Sequence, residues 1–194
     1  MSNFLETILA QRRRDVAAAQ SATPLAALRP LAEAARAGRR PFADRLRSAE
    51  GVSIIAEIKR ASPSKGDLAP NLDPAAMARA YEAGGAACLS VLTEPRFFKG
   101  ALADLAAARA ACHLPVLRKD FLFCDYQVVE SAAAGADAVL LIVSILAQPD
   151  LVRLHALAAE LGLDALVEAA SAGEVARACE AGAMVTALCQ GGLA

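Results

Sequence analysis

Two glutamates and two lysines stand where charge is costly. Glu57 and Lys59 close the run Ile54-Ile55-Ala56-Glu57-Ile58-Lys59, Lys119 closes Pro115-Val116-Leu117-Arg118-Lys119, and Glu168 closes Asp164-Ala165-Leu166-Val167-Glu168. Each run reads as a buried β-strand, and side chains alternate along a strand, so the four charges are in phase with Ile55, Leu117 and Leu166. A buried strand does not hold ionised groups unless they are paired or used. Two acids and two bases in a partly dry cleft shift one another's proton affinities, which general acid-base chemistry needs. The lysines also suit an anionic substrate. Phe98 and Phe121 follow two of the strands, and Leu140 and Ile142 offer an apolar wall on a fourth, which suits a partly aromatic substrate. The plainer alternatives are a structural ion pair at a strand end and phenylalanines that anchor loops.

The elements that must position these residues alternate. Strands are expected at 54–59, 87–92, 115–119, 137–143, 164–168 and from about Ala183. Helices are expected from Asp73 to Gly84, up to Ala111, and over 125–134, 149–161 and 171–181, with Asp73-Pro74 a cap followed by proline. The pairs Gly85-Ala86, Gly135-Ala136 and Gly182-Ala183 end three helices, where glycine accepts a left-handed conformation. The stretch from Ala61 to Gly66 reads as a polar loop. Units of roughly 20 to 33 residues match a (β/α)8 barrel, with an open doubly wound sheet as the other candidate. No GxGxxG or GKS/T loop follows a strand, which removes the strongest sign of an open nucleotide-binding sheet. Charged residues at the ends of several strands are where a barrel keeps its active site. Residues 1–50 read as a helical extension with helices over 3–20, 25–37 and 41–49. Residues 51–194 read as the barrel domain.

Composition narrows the function. The chain has 194 residues, 56% hydrophobic, 4% aromatic and without tryptophan, which argues against disorder. A formal net charge of −1 gives no field to attract nucleic acid and no polybasic membrane patch. Five cysteines, Cys88, Cys112, Cys124, Cys179 and Cys189, include no CxxC spacing and read as reduced thiols. His113 and His155 form no metal-ligand pattern. The amino terminus lacks the order of a signal peptide, and the apolar stretch Ala132 to Ala147 is broken by Asp137, so a cytoplasmic protein is expected.

Five stretches resemble the indole-3-glycerol-phosphate synthase family: Ile55-Ala56-Glu57-Ile58-Lys59-Arg60-Ala61-Ser62-Pro63-Ser64, Leu92 to Gly100, Pro115 to Phe121, Ala136 to Val143, and Ala165 to Glu168. The E-x-K-x-x-S-P-S and L-R-K-D-F segments are specific together. The resemblance implies a TIM barrel that converts 1-(2-carboxyphenylamino)-1-deoxyribulose 5-phosphate to indole-3-glycerol phosphate, with loss of CO2 and water. It implies Lys119 as general acid, Glu168 as base, Lys59 as anion binder and proton carrier, and Glu57 as the group that orients the lysines. Ser62 would lie by the phosphate, and Phe98, Phe121, Leu140 and Ile142 would line the anthranilate pocket. It implies neither metal nor organic cofactor.

The resemblance stops after Ala183. The family's substrate-contacting asparagine and arginine fall on Cys189 and Gly191, which cannot do that work. About six βα strands are expected, without units 7 and 8, and so two open sheet edges prone to self-association. An inactive partial barrel is therefore the alternative function. Another phosphate-binding barrel, such as a sugar-phosphate isomerase, is the weaker third, since it has no need of the E-x-K-x-x-S-P-S loop.

Overall fold

The computed structural model describes residues 2–48 and 51–189; Gly191 lies outside them. Three helices come first: α1 (Ser2–Ala22), α2 (Leu25–Ala35) and α3 (Phe42–Arg47). Then β1 (Ile55–Ile58) is followed by a hairpin of β2 (Ala61–Ser62) and β3 (Gly66–Asp67), and by α4 (Pro74–Ala83). The alternation continues as β4 (Cys88–Leu92), α5 (Leu102–Ala111), β5 (Val116–Lys119), α6 (Asp125–Ala133), β6 (Ala138–Ile142), α7 (Gln148–Glu160), β7 (Asp164–Ala169), α8 (Ala172–Glu180) and β8 (Val185–Leu188).

Six strands form one curled parallel sheet in the order β1-β4-β5-β6-β7-β8, an incomplete TIM barrel with β1 and β8 at its edges among the described residues. The expected starts and stops hold to within about two residues, because the local signals are strong. Asp73 accepts a hydrogen bond from the Ala75 amide at 2.9 Å, just ahead of Pro74. Gly85, Gly135 and Gly182 take φ values of 84°, 88° and 84°, the left-handed geometry expected of them.

Two local differences have physical causes. The stretch read as a polar loop contains the β2–β3 pair, Ala61 opposite Asp67 and Ser62 opposite Gly66. Gly66, at φ 65°, lets so short a turn close. Ile54, expected in a buried strand, is 58% exposed. It precedes β1, which has β4 beside it and no described strand on its other side.

Alternation sorts the side chains of the sheet into two cores. Ala56, Ile58, Leu89, Val91, Val139, Leu141 and Val167 face outward onto the helices. Ile55, Cys88, Leu117, Ala138, Leu140, Leu166 and Val185 face inward. Fully burying an aliphatic or aromatic side chain is worth about 1.5–3 kcal/mol, so each strand is fixed from both sides. Helices α3 and α1 cover opposite ends of this interior, while α2 packs on α6 in the outer core. Phe42 of α3, fully buried, packs with Ala87, Cys88 and Ala138 at the amino-terminal end. There the Ala43 amide donates to Asp164 and the Arg40 amide to Asp137, each at 2.8 Å. At the carboxyl end, Ile8 of α1 packs with Leu92, Phe98 and Phe121.

Candidate active site

Glu57, Lys59, Lys119 and Glu168 converge at the carboxyl edge of the sheet. The Lys119 ammonium donates to Glu57 Oε2 at 2.6 Å, and Lys59 donates to Glu57 Oε1. Their side chains are only about one-third exposed, so these pairs are less screened than surface ones. Burial alone would raise the proton affinity of Glu57, but the hydrogen bonds from Lys119 and Lys59 outweigh it and hold the carboxyl below its usual range. Glu57 is therefore a fixed anion.

Glu168 is its opposite. Its side chain makes no hydrogen bond or ion pair with a described residue, and burial pushes its proton affinity up, against the pull of Lys119 and with a small addition from Glu174. A carboxylate with raised affinity and free oxygens is suited to take a proton. Lys119 acts on both acids, bonded to one and attracting the other.

The remaining predicted residues frame this group. Leu140 is buried in the inner core, and Ile142 touches both that core and the cluster under α1. Phe98 and Phe121 are 8% and 6% exposed, with ring centroids 6.2 Å apart, packed against Ile8 and Leu92. Most of each ring thus holds the loops and α1 together. Ser62, on β2, accepts from the Lys65 amide at 3.3 Å and stays half-buried. The loop bearing it is tied across to α5: Arg60 donates to Asp104 Oδ1 at 3.0 Å and to the Leu72 carbonyl at 3.1 Å.

Sequence reasoning passed over a second charged cluster on the other face of β5. Arg118 is 1% exposed and Asp120 is 2%. Asp120 accepts from Arg12 Nε at 3.0 Å and Nη2 at 2.8 Å, from Arg118 at 2.9 Å, from Thr93 at 2.9 Å and from the Phe121 amide at 2.8 Å. Arg118 also reaches Glu130 at 2.9 Å and Ser131 at 3.0 Å. Burial works to raise the proton affinity of Asp120, but Arg118 and Arg12 prevail and lower it. The sequence did carry a signal: three successive charges, Arg118-Lys119-Asp120, end an apolar strand, and alternation sends the middle one to the opposite face from its neighbours. Glu94 was missed as well. It is fully buried and accepts from the amides of Arg96, Phe97 and Phe98 at 3.0, 2.6 and 3.0 Å, which fixes the loop after β4.

A cleft of about 410 Å³ lies beside the ends of β7 and β8, lined by Ala169, Ser171, Val175 and Leu188 among others. Ala169 points away from Glu168, so this cleft is on the outer face and contains none of the four charges.

A curled parallel sheet with ionisable groups gathered along its carboxyl edge defines a (β/α)-barrel protein, and that edge is where such barrels keep their active sites. Comparison with known proteins agrees. The sequence model of the family described as indole-3-glycerol phosphate synthase matches residues 5–189. The indole-3-glycerol phosphate synthase of Desulfosudis oleivorans is 53% identical over 186 residues, 94% of this chain and 70% of that protein. Those of Leifsonia xyli subsp. xyli and of Nocardioides sp. are 52% and 56% identical over 181 residues, each alignment covering 93% of this chain and 69% of the relative. The chain belongs to the indole-3-glycerol phosphate synthase family.

Proposed function

We propose that the chain carries out the reaction named by its relatives: ring closure of 1-(2-carboxyphenylamino)-1-deoxyribulose 5-phosphate to indole-3-glycerol phosphate, a step of tryptophan biosynthesis. This makes it a carbon-carbon lyase that releases CO2. The carrying observation is that Lys119 sits between a bonded, ionised Glu57 and an unbonded Glu168 of raised proton affinity.

In this reading Lys119 protonates the ribulose carbonyl oxygen as the aromatic carbon bearing the carboxylate bonds to the carbonyl carbon. The carboxylate then leaves as CO2, and its bonding electrons restore the aromatic ring. Next the new hydroxyl departs as water, with a proton from Lys59. Glu168 takes the proton from the adjacent carbon, which completes the indole double bond. Glu57 orients both ammonium groups. Ser62 lies by the phosphate, and Leu140, Ile142 and the edges of Phe98 and Phe121 meet the aromatic part. No organic cofactor or metal has a part in these steps. No described helix is long and apolar enough to cross a membrane, and we assign the protein to the cytoplasm.

One observation favours a second reading, a catalytically inactive partial barrel. Among the described residues β1 and β8 are unpaired edges, and Val52, Ile54, Met184 and Leu188 are exposed near them. Such edges also favour association between copies. Adding the substrate to the purified chain separates the two readings. The first predicts indole fluorescence with one CO2 released per product. A folded protein that binds the substrate and releases no CO2 contradicts it.

A further inference from the structure

Ser90 is a buried polar residue that the proposed reaction does not use. It lies mid-strand on β4 and is 5% exposed, and its Oγ makes no hydrogen bond with any described residue. Along its own strand and toward β5 its same-face neighbours are apolar or weakly polar, Cys88 and Leu117. A hydroxyl left unpaired in such a place lowers stability, and alanine would suit the site better. Such conflicts between local environment and residue type gather where function requires them.

Its position points to the requirement. Ser90 is the cross-strand partner of Glu57 on β1. Paired residues of parallel strands point to the same face, about 4.8 Å apart, so the Ser90 hydroxyl and the Glu57 side chain are neighbours. In the structure both Glu57 oxygens are engaged, Oε1 by Lys59 and Oε2 by Lys119. Lys119 becomes a neutral amine once it gives its proton to a substrate, and Glu57 Oε2 then loses a charged donor in a half-buried site. Arg118 and Thr93 face the other side of the sheet and are committed to Asp120. Glu168 on β7 can only repel. Lys59 is engaged at Oε1, and the hydroxyl of Ser90 is the uncommitted donor beside Glu57 on the same face.

We propose that Ser90 is a positioning residue that replaces Lys119 as hydrogen-bond donor to Glu57 when Lys119 turns to the substrate. The exchange keeps Glu57 ionised and in place, so that it draws Lys119 back after the proton transfer. This inference rests on the proposed role of Lys119, and its test needs no turnover.

The test is the titration of the Glu57 carboxyl carbon, followed by carbon-13 NMR in the parent, Ser90→Ala, Lys119→Met and the double variant. Lys119→Met keeps the stem and removes the ammonium, which imitates its departure. With Lys119 present, Ser90→Ala should leave the Glu57 dissociation constant within about twofold of the parent. In the Lys119→Met background it should lower that constant about tenfold or more, as expected for a hydrogen bond to a charged group. Lys119→Met with Ser90→Thr, which keeps a hydroxyl, should titrate like Lys119→Met alone. Equal effects of Ser90→Ala in both backgrounds, or none in either, overturn the proposal. So does a melting temperature of Ser90→Ala below the parent's, since the hydroxyl would then already be paired. Undiminished turnover in Lys119→Met would instead count against the proposed reaction, so the two ideas fail separately.

Discussion

The two faces of β5 carry charge in opposite ways. On the outer face Arg118 and Asp120 are sealed from water and bonded to Arg12, Thr93, Glu130 and Ser131. On the inner face Lys119 is partly exposed, with Glu57 as the one hydrogen-bond partner of its ammonium among the described residues and the Glu168 carboxyl unbonded nearby. One strand thus bears a closed network and an open one. Closed networks give rigidity, because every donor has an acceptor and removing either leaves a buried charge. Open ones retain valences for a ligand. The lesson is that burial and pairing, more than residue type, separate a structural charge from a chemical one.

The comparison can be broken by mutation, the closed side first. Asp120→Ala strands Arg12 and Arg118 without their shared acceptor and should cost about 3–5 kcal/mol of stability in urea unfolding. A loss under 1 kcal/mol would mean that the outer network is not structural. On the open side Lys119→Ala should cut turnover by about 10²-fold or more, equivalent to roughly 2.7 kcal/mol, with little change in melting temperature. A third substitution tests the backbone beneath the site. A Cβ at Gly100 would lie 2.1 Å from the Leu92 carbonyl oxygen, so Gly100→Ala must move backbone where β4 meets its loop. A cost of about 1–3 kcal/mol is expected by analogy with other overpacked sites, together with a raised KM.

The smallest effects are in the pH dependence of stability, where the two faces should differ in sign. Asp120 binds its proton less tightly when folded, so its contribution is present above the unfolded value of about 3.9 and lost as pH falls through the lower folded value. Glu168 binds its proton more tightly when folded. Its contribution is full below the unfolded value of about 4.3 and is lost as pH rises through the higher folded value. Glu168→Gln should therefore raise the melting temperature slightly at neutral pH while abolishing most turnover, the trade expected of a group kept for chemistry. A lower melting temperature for this variant at neutral pH would show Glu168 to be a structural partner.

Much of this was legible beforehand, and the reason is periodicity. Alternation placed Glu57, Lys119 and Glu168 on one face because Ile55, Leu117 and Leu166 share it, and the structure unites them at one edge. The same rule applied to Arg118 and Asp120 gave their face but not their partner. Arg12 lies 108 residues from Asp120, in a helix whose sequence shows only a basic run, Arg12-Arg13-Arg14. Nothing local says which of the three arginines turns inward. The β2–β3 pair was hidden for another reason: strands of two residues have no period to read. Exposure at Ile54 depended on its neighbours in space, which a strand's own sequence does not state.

The most direct test sets neighbouring residues against each other. Lys119→Met and Arg118→Met each remove one charge from adjacent positions of β5, and turnover and melting temperature are measured for both. The account predicts that Lys119→Met loses turnover and keeps its melting temperature, while Arg118→Met loses melting temperature and keeps most turnover at a temperature where it is folded. The reverse pattern, or two variants that lose both alike, would contradict the division of β5 into a structural and a chemical face.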